Sequence, residues 1–367
     1  MIPVARRLLF ANRGGLLVTV AGVGATVALL LFLFMVHDGV RDGSTGYVRT
    51  ADVDLWIGQK NSDNILKSSS YLPAAVAERV RRVEGVRDAA PLVRVFSKAD
   101  IDGRRSSTLF ILGFDPVTRL GEPKTVVQGT TILRPGDLIL DRSFALTYKL
   151  ALGDRLDIQG RRFRVAGISK NTNPLVSQFA FLRLDDASAL LGLEGTASFI
   201  VVRVSGNRAA VAARLRQELP ELSVYEADEF LRHHVEEMES GILPVFASAA
   251  VFGAVVCGFI VALMLYNSIL QRREEYATLK ALGASQRYLL RLVAGQALLV
   301  TTLGCAAGAA LAGIVTPLLL RFVPSLAISW NPLLFLVLPA ALLVGAVSAA
   351  VPVRMLRRIY PAEVFRA

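Results

Sequence analysis

Four stretches of this chain are almost wholly apolar and contain no Asp, Glu, Lys, Arg or His: residues 16–36, 242–270, 292–320 and 333–351. Each reaches the roughly 17–25 residues that a tilted helix needs to cross a hydrocarbon layer. They predict four transmembrane helices, split one plus three around a long insertion at 37–241. Inside that insertion the pattern shortens. Residues 52–57, 86–96, 107–114, 137–140, 179–184 and 199–204 have strand character, and 155–158 with 163–168 forms a hairpin turning near Gly160. Helices are expected at 73–83, with Pro73 in the first turn, and at 142–150, 185–191 and 208–219, while the Gly-, Pro- and Thr-rich stretch up to 135 reads as loop. This mixture makes the insertion an α+β domain.

Two junctions matter for how the domain is attached. Residues 37–50, rich in Gly and Asp, suit either a helical extension of the first span or a flexible neck. Residues 227–240 form a charged helical stretch that meets the second span with no break signal, since a Pro at 244 near a helix start costs little. The expectation is a rigid stalk near 227–241, with Phe230, His234 and Glu237 as its candidate residues.

Charge orients the layout. The chain carries a net +11, yet the 37–241 insertion holds 28 Lys/Arg against 27 Asp/Glu. The excess lies at the two ends and at 271–291, as in the positive-inside pattern. The expected topology therefore places 1–15, 271–291 and 352–367 in the cytoplasm and puts the insertion and the short loop 321–332 outside a bacterial inner membrane. No small-residue cleavage site follows the first span, so it reads as an uncleaved signal anchor. Both cysteines, Cys257 and Cys305, fall in spans, which leaves the outer domain to build its core without disulfides.

Several chemistries are absent. Spans without ionisable groups argue against a proton- or ion-coupled transporter. No G-x-x-x-x-G-K-[ST] loop is present, so the chain is read as a non-catalytic subunit, without cofactor or metal site of its own. His233 and His234 are adjacent, and neighbours on a helix point about 100° apart, so a solvated or interfacial helix is the favoured reading over a metal site. The spacings Gly24/Ala28, Gly304/Gly308/Ala312 and Ala341/Gly345/Ala349 suit close helix packing or a dimer face, or reflect only the abundance of small residues. In the cytoplasmic segment, Tyr276, Leu279 and Leu282 lie on a narrow apolar face among Arg272, Arg273, Glu275 and Lys280; Gly283 suits the helix end and Ser285 caps the next helix. Such a helix either lies on lipid or docks into a groove of a soluble partner.

The string from Glu275 to Ala284, EYATLKALGA, resembles the cytoplasmic signature of the MacB/FtsX/LolC-type permeases of ABC transporters, the type VII superfamily. Glu275, Ala281, Gly283 and Ala284 match directly, Tyr276, Ala277 and Thr278 replace a commoner Ile-Gly-Ile, and the wording is closest to the DevC-like branch. Residues 137–168, 181–191 and 354–366, the last with Pro361, Ala362 and Glu363, are also similar to that family; 54–71 has no counterpart. The resemblance implies a MacB-like periplasmic domain and a coupling helix formed by Arg272, Arg273, Glu275, Tyr276, Leu279, Lys280, Leu282 and Gly283. It further implies two copies of an ATPase that binds ATP and Mg, a second permease copy in a homodimer, and a periplasmic adaptor with an outer-membrane channel. Force transmission from the coupling helix through the second span to the stalk at 227–240, to export a lipid, lipoprotein or peptide, is the expected role. The alternative is an FtsX-like regulator of a cell-wall hydrolase, which the large outer domain disfavours. An ATPase-independent receptor would instead leave the cytoplasmic helix on lipid. No nucleic-acid partner is expected; membrane lipid is.

Overall fold

The computed structural model describes residues 13–348 apart from 67–69, 102, 104, 173–177, 193, 242, 272, 325 and 333–335. The chain divides into a membrane unit (Met1–His37, Pro244–Arg321, Trp330–Ala367) and an inserted domain (Asp38–Leu243, Phe322–Ser329). Helix α1 (Arg13–Thr50) runs from the first unit into the second without interruption. At 1.5 Å per residue its 38 residues span about 57 Å, against about 30 Å of hydrocarbon.

Three helices among the described residues are long and apolar enough to cross a membrane: α1, Leu243–Gln271 and Gln286–Phe322. A shorter apolar helix, Val337–Ser348, occupies the middle of the fourth expected span, whose residues 333–335 and 349–351 lie outside the described residues. Packing within the membrane unit explains two of the small-residue spacings. A Cβ on Gly308 would lie 2.7 Å from the Gly24 carbonyl oxygen and 2.8 Å from Val27 Cβ, so α1 and the helix Gln286–Phe322 meet backbone to backbone. Thr19 and Thr26 return their hydroxyls to the carbonyls of Gly15 and Gly22, at 2.8 and 2.9 Å, which satisfies them inside an apolar helix.

The inserted domain is built from strands β1 (Leu55–Gln59), β2 (Leu72–Pro73), β3 (Val86–Asp100), β4 (Ser106–Phe114), β5 (Val126–Gly129), β6 (Asp137–Asp141), β7 (Arg155–Ile158), β8 (Arg161–Ser169), β9 (Gln178–Arg183), β10 (Thr196–Ala197), β11 (Phe199–Val204) and β12 (Leu222–Glu226). Its helices are α2 (Val76–Arg81), α3 (Arg142–Tyr148), α4 (Leu184–Leu191), α5 (Arg208–Glu218) and α6 (Ala227–Ser240). One continuous sheet has the order β12-β1-β11-β3-β4-β9-β6-β8-β5, and β7 bridges β8 back to β3. The circuit β3-β4-β9-β6-β8-β7 therefore closes, through Ala99 and Asp100 opposite Ile158 and Asp157.

Strand β3 links two lobes. Its first half pairs with β11 and its second half with β4. In the four-stranded lobe, α2 and α5 bury Val80, Val211 and Leu215 against Leu55, Ile57, Ile200 and Val202. The closed circuit is filled from all six strands, by residues such as Leu109, Leu138, Leu156, Phe163 and Ala180, with Phe144 of α3 and Leu190 of α4. Period-two alternation sends the intervening residues to a third cluster, where Trp56, Phe110, Phe179, Phe181 and Phe199 meet Tyr47 of α1 and Phe230 of α6. Burial on both faces explains why β4, β9 and β11 are apolar over most of their length.

Most expected elements appear within a few residues of their predicted bounds. The loop up to 135 contains β5, an edge strand too short and polar to register as one. Pro73 lies in β2, and the helix after it begins only at Val76. Residues 37–50 are helical. The expected unbroken stalk is corrected: α6 ends at Ser240, Gly241 has φ −90° and ψ −99°, and the next helix begins at Leu243. Gly241 leaves the helical region, and α6 ends there rather than at Pro244.

Candidate functional site

Within the membrane unit, α7 (Leu243–Gln271) is followed by a short helix α8 (Arg273–Ala281), a turn, and α9 (Gln286–Phe322); α10 (Val337–Ser348) follows. The end of α8 is a Schellman closure: Ala284 N–H donates to the Leu279 carbonyl at 2.9 Å and Gly283 N–H to the Lys280 carbonyl at 3.1 Å. Gly283 has φ +90°, a conformation that glycine takes without Cβ strain, and open space surrounds it. Ser285 Oγ then accepts from Tyr288 N–H at 3.3 Å and caps α9. The turn presents Leu282, 81% exposed, with Glu275 also exposed and Leu279 and Lys280 half-buried. Tyr276 is only 2% exposed and Ala277 is buried, so the tyrosine anchors α8 inside its own unit instead of facing outward. Arg272 lies outside the described residues, and for Arg273 only the backbone is described.

The second candidate region lies in the inserted domain, where the end of α1 is clasped. Phe230 of α6 stacks on Trp56 with centroids 4.6 Å apart and planes 5° from parallel, and meets Phe199 edge-on at 5.7 Å. One turn on, His234 is 1% exposed and its Nε2 lies 3.0 Å from the Ser44 carbonyl of α1. A carbonyl only accepts, so Nε2 carries the proton, and the buried Nδ1 has no partner among the described residues. Burial pulls the His234 pKa down to about 4, against the opposing pull of the Ser44 hydrogen bond and of half-buried Glu237, which keeps the ring neutral. Arg41 of α1 and Glu239 of α6 add an exposed ion pair at 3.7 Å. His233 faces elsewhere, edge-on to Tyr225 at 5.4 Å.

Backbone from two other segments closes the clasp. A Cβ on Gly39 would collide with the Ala327 carbonyl of the loop Phe322–Ser329, and Ser329 Oγ donates to Asp42 at 2.8 Å. A Cβ on Gly46 would collide with the Asn171 carbonyl, just after β8. That turn is held by buried Asp141, which accepts from Thr172 Oγ1 at 2.6 Å and Ser143 N–H at 2.7 Å; burial raises its pKa against those hydrogen bonds. Tyr47, its hydroxyl pushed above the usual range by burial, donates to the Gly121 carbonyl at 2.7 Å. Sequence reasoning singled out Phe230 and His234 but missed Gly39, Ser44, Gly46, Asn171 and Ala327. The available signal was the glycine spacing at 39, 43 and 46 inside a stretch that turned out helical.

The chain is similar to known proteins over most of its length. The family model described as MacB-like periplasmic core domain matches residues 16–218, and the FtsX-like permease C-terminal model matches 247–361. The chain belongs to the MacB/FtsX family of ABC transporter permeases. An uncharacterized ABC transporter permease of Mycobacterium tuberculosis is 24% identical over 367 residues, covering 100% of this chain and 99% of the relative. Another, from Methanocaldococcus jannaschii, is 26% identical over 235 residues, 59% of this chain and 58% of that one. Among solved structures, the periplasmic region of MacB from Actinobacillus actinomycetemcomitans aligns with a TM-score of 0.40 at 14% identity, covering 51% of this chain and 94% of that one. The inserted domain of this permease is accordingly its periplasmic core domain.

Proposed function

We propose that this permease docks a separate ATPase on the α8–α9 turn and transmits the movement through α1 to its periplasmic core domain. The supporting observation is the closed helix–turn–helix that leaves Leu282 projecting beside Glu275, in the segment that the charge distribution assigns to the cytoplasm. A lipid-lying helix would keep its apolar side against the bilayer, whereas here Tyr276 is buried in protein and Leu282 stands at the turn.

No phosphate-binding loop occurs in the chain, so ATP and Mg²⁺ belong to the ATPase, present in two copies on a permease dimer. Membrane runs without ionisable groups favour movement of the outer domains over a hydrophilic pore. The cargo class is then a lipid, lipoprotein or peptide handled on the periplasmic side, passed to an adaptor and outer-membrane channel. Residues 227–241 act as part of the domain, and α1 is the element that carries displacement. Copurification tests this reading. Wild-type chain should retain an ATPase subunit, and Leu282→Asp with Leu279→Asp should release it. Retention by the double variant, or no ATPase with the wild type, refutes the docking assignment.

A further inference from the structure

The two lobes of the periplasmic domain treat their positive charges differently. In the four-stranded lobe Arg79, Arg81, Arg203, Arg208, Arg214 and Arg216 are each ion-paired with a carboxylate. In the closed lobe, residues 134–170 hold eight Lys/Arg against four Asp, and among the described residues only Arg164 of these is ion-paired, with Asp137 at 2.8 Å. The other three carboxylates are occupied by the fold itself. Asp141 is buried on Thr172 and Ser143, Asp154 accepts from Ala151 N–H at 2.8 Å, and Asp157 accepts from Gly160 N–H at 2.8 Å.

Register concentrates the surplus on one face. Leu156, Ile158 and Phe163 of the β7–β8 hairpin point into the lobe, so Arg155, Arg162 and Arg164 share its outer face with Asp157, which stands opposite Arg162 and accepts from Gly160 N–H. Arg155 stands directly opposite Arg164, whose partner is Asp137, so the residue across the ladder from Arg155 is a second cation and not a carboxylate. Arg161 is exposed at the hairpin tip. Apolar side chains border this face: Leu152, 45% exposed, in a turn tied to β8 by Gly153 N–H on the Val165 carbonyl, and Ile132, 70% exposed, two residues after Thr130 N–H meets the Ala166 carbonyl.

We propose that the outer face of the β7–β8 hairpin, centred on Arg155 and Arg162, is a docking surface for an acidic protein segment that also carries apolar residues. Guanidinium forks match carboxylates, and the apolar border supplies the area that a purely ionic contact lacks. The assignment is independent of ATPase docking.

The test uses the full chain in phosphatidylcholine nanodiscs and a fluorescent peptide made of four Glu-Glu-Leu repeats, with empty nanodiscs as background. Binding should weaken about tenfold between about 50 mM and about 300 mM salt and by a similar factor in Arg155→Gln/Arg162→Gln. Lys60→Gln/Arg82→Gln, which removes the same charge from the other lobe, should leave it unchanged. Absence of peptide binding, or equal loss in both double variants, overturns the proposal. So does capture of the wild type by phosphatidylglycerol vesicles that is lost in Arg155→Gln/Arg162→Gln while peptide binding persists, since that result marks a lipid surface. Thermal melting of each variant separates lost contact from lost fold.

Discussion

Two helical connections lead from the membrane helices into the periplasmic domain, and they are built differently. Helix α1 is continuous over Arg13–Thr50, with main-chain contacts on Gly39 and Gly46 and its Tyr47 in the aromatic core. The other connection is broken at Gly241 between α6 and α7. A continuous helix passes axial displacement along its length, whereas a non-helical residue absorbs it locally. Under the proposed function transmission falls to α1 and bending to the α6–α7 junction, although the two stretches carry similar helical promise in the sequence.

The largest expected effect falls on α6, which behaves here as part of the domain core. Phe230→Ala should lower stability by about 3–5 kcal/mol, measured by chemical denaturation, because it removes a ring stacked on Trp56. A loss below about 1 kcal/mol would return α6 to the role of a free stalk.

Next comes pH. The folded pKa of His234, about 4, lies below its ordinary 6.5, so the folded state binds fewer protons between those values. Stability is complete above pH 6.5 and is lost as pH falls toward 4, by an amount on the order of 3 kcal/mol. Melting temperature across this range should be flatter in His234→Gln.

Gly46→Leu should follow, with a loss of about 1–3 kcal/mol, since a side chain there meets the Asn171 carbonyl. The same change at Gly241, where φ is negative, should cost less than about 0.5 kcal/mol. Equal costs at the two glycines would erase the distinction between the connections. Gly283→Ala at φ +90° should cost about 1 kcal/mol in stability. Its reduction of copurified ATPase activity should exceed its effect on melting.

Spans, strands and the turn at Gly283 were legible in the sequence because each follows from a local signal: uncharged length, period-two alternation, or a glycine after a helical run. The clasp was not. Ser44 and Asn171 contribute main-chain carbonyls, which carry no side-chain signature, and Ala327 comes from a loop far along the chain. The break at Gly241 is not announced by Pro244, which is tolerated in the first turn of α7. Tyr276 illustrates a third limit. Periodicity placed it on an apolar face, but whether that face meets a partner or its own protein depends on tertiary packing.

Under the proposed function, α1 carries the motion. The direct test inserts Gly-Gly-Ser after Val40 in α1 or, separately, after Gly241, in permease copurified with its ATPase and labelled on the periplasmic domain for pulsed electron-spin distance measurement between the two copies. The account predicts that the α1 insertion abolishes the ATP-dependent change in distance and that the junction insertion preserves it. A preserved change with the α1 insertion, or one lost only with the junction insertion, would contradict it.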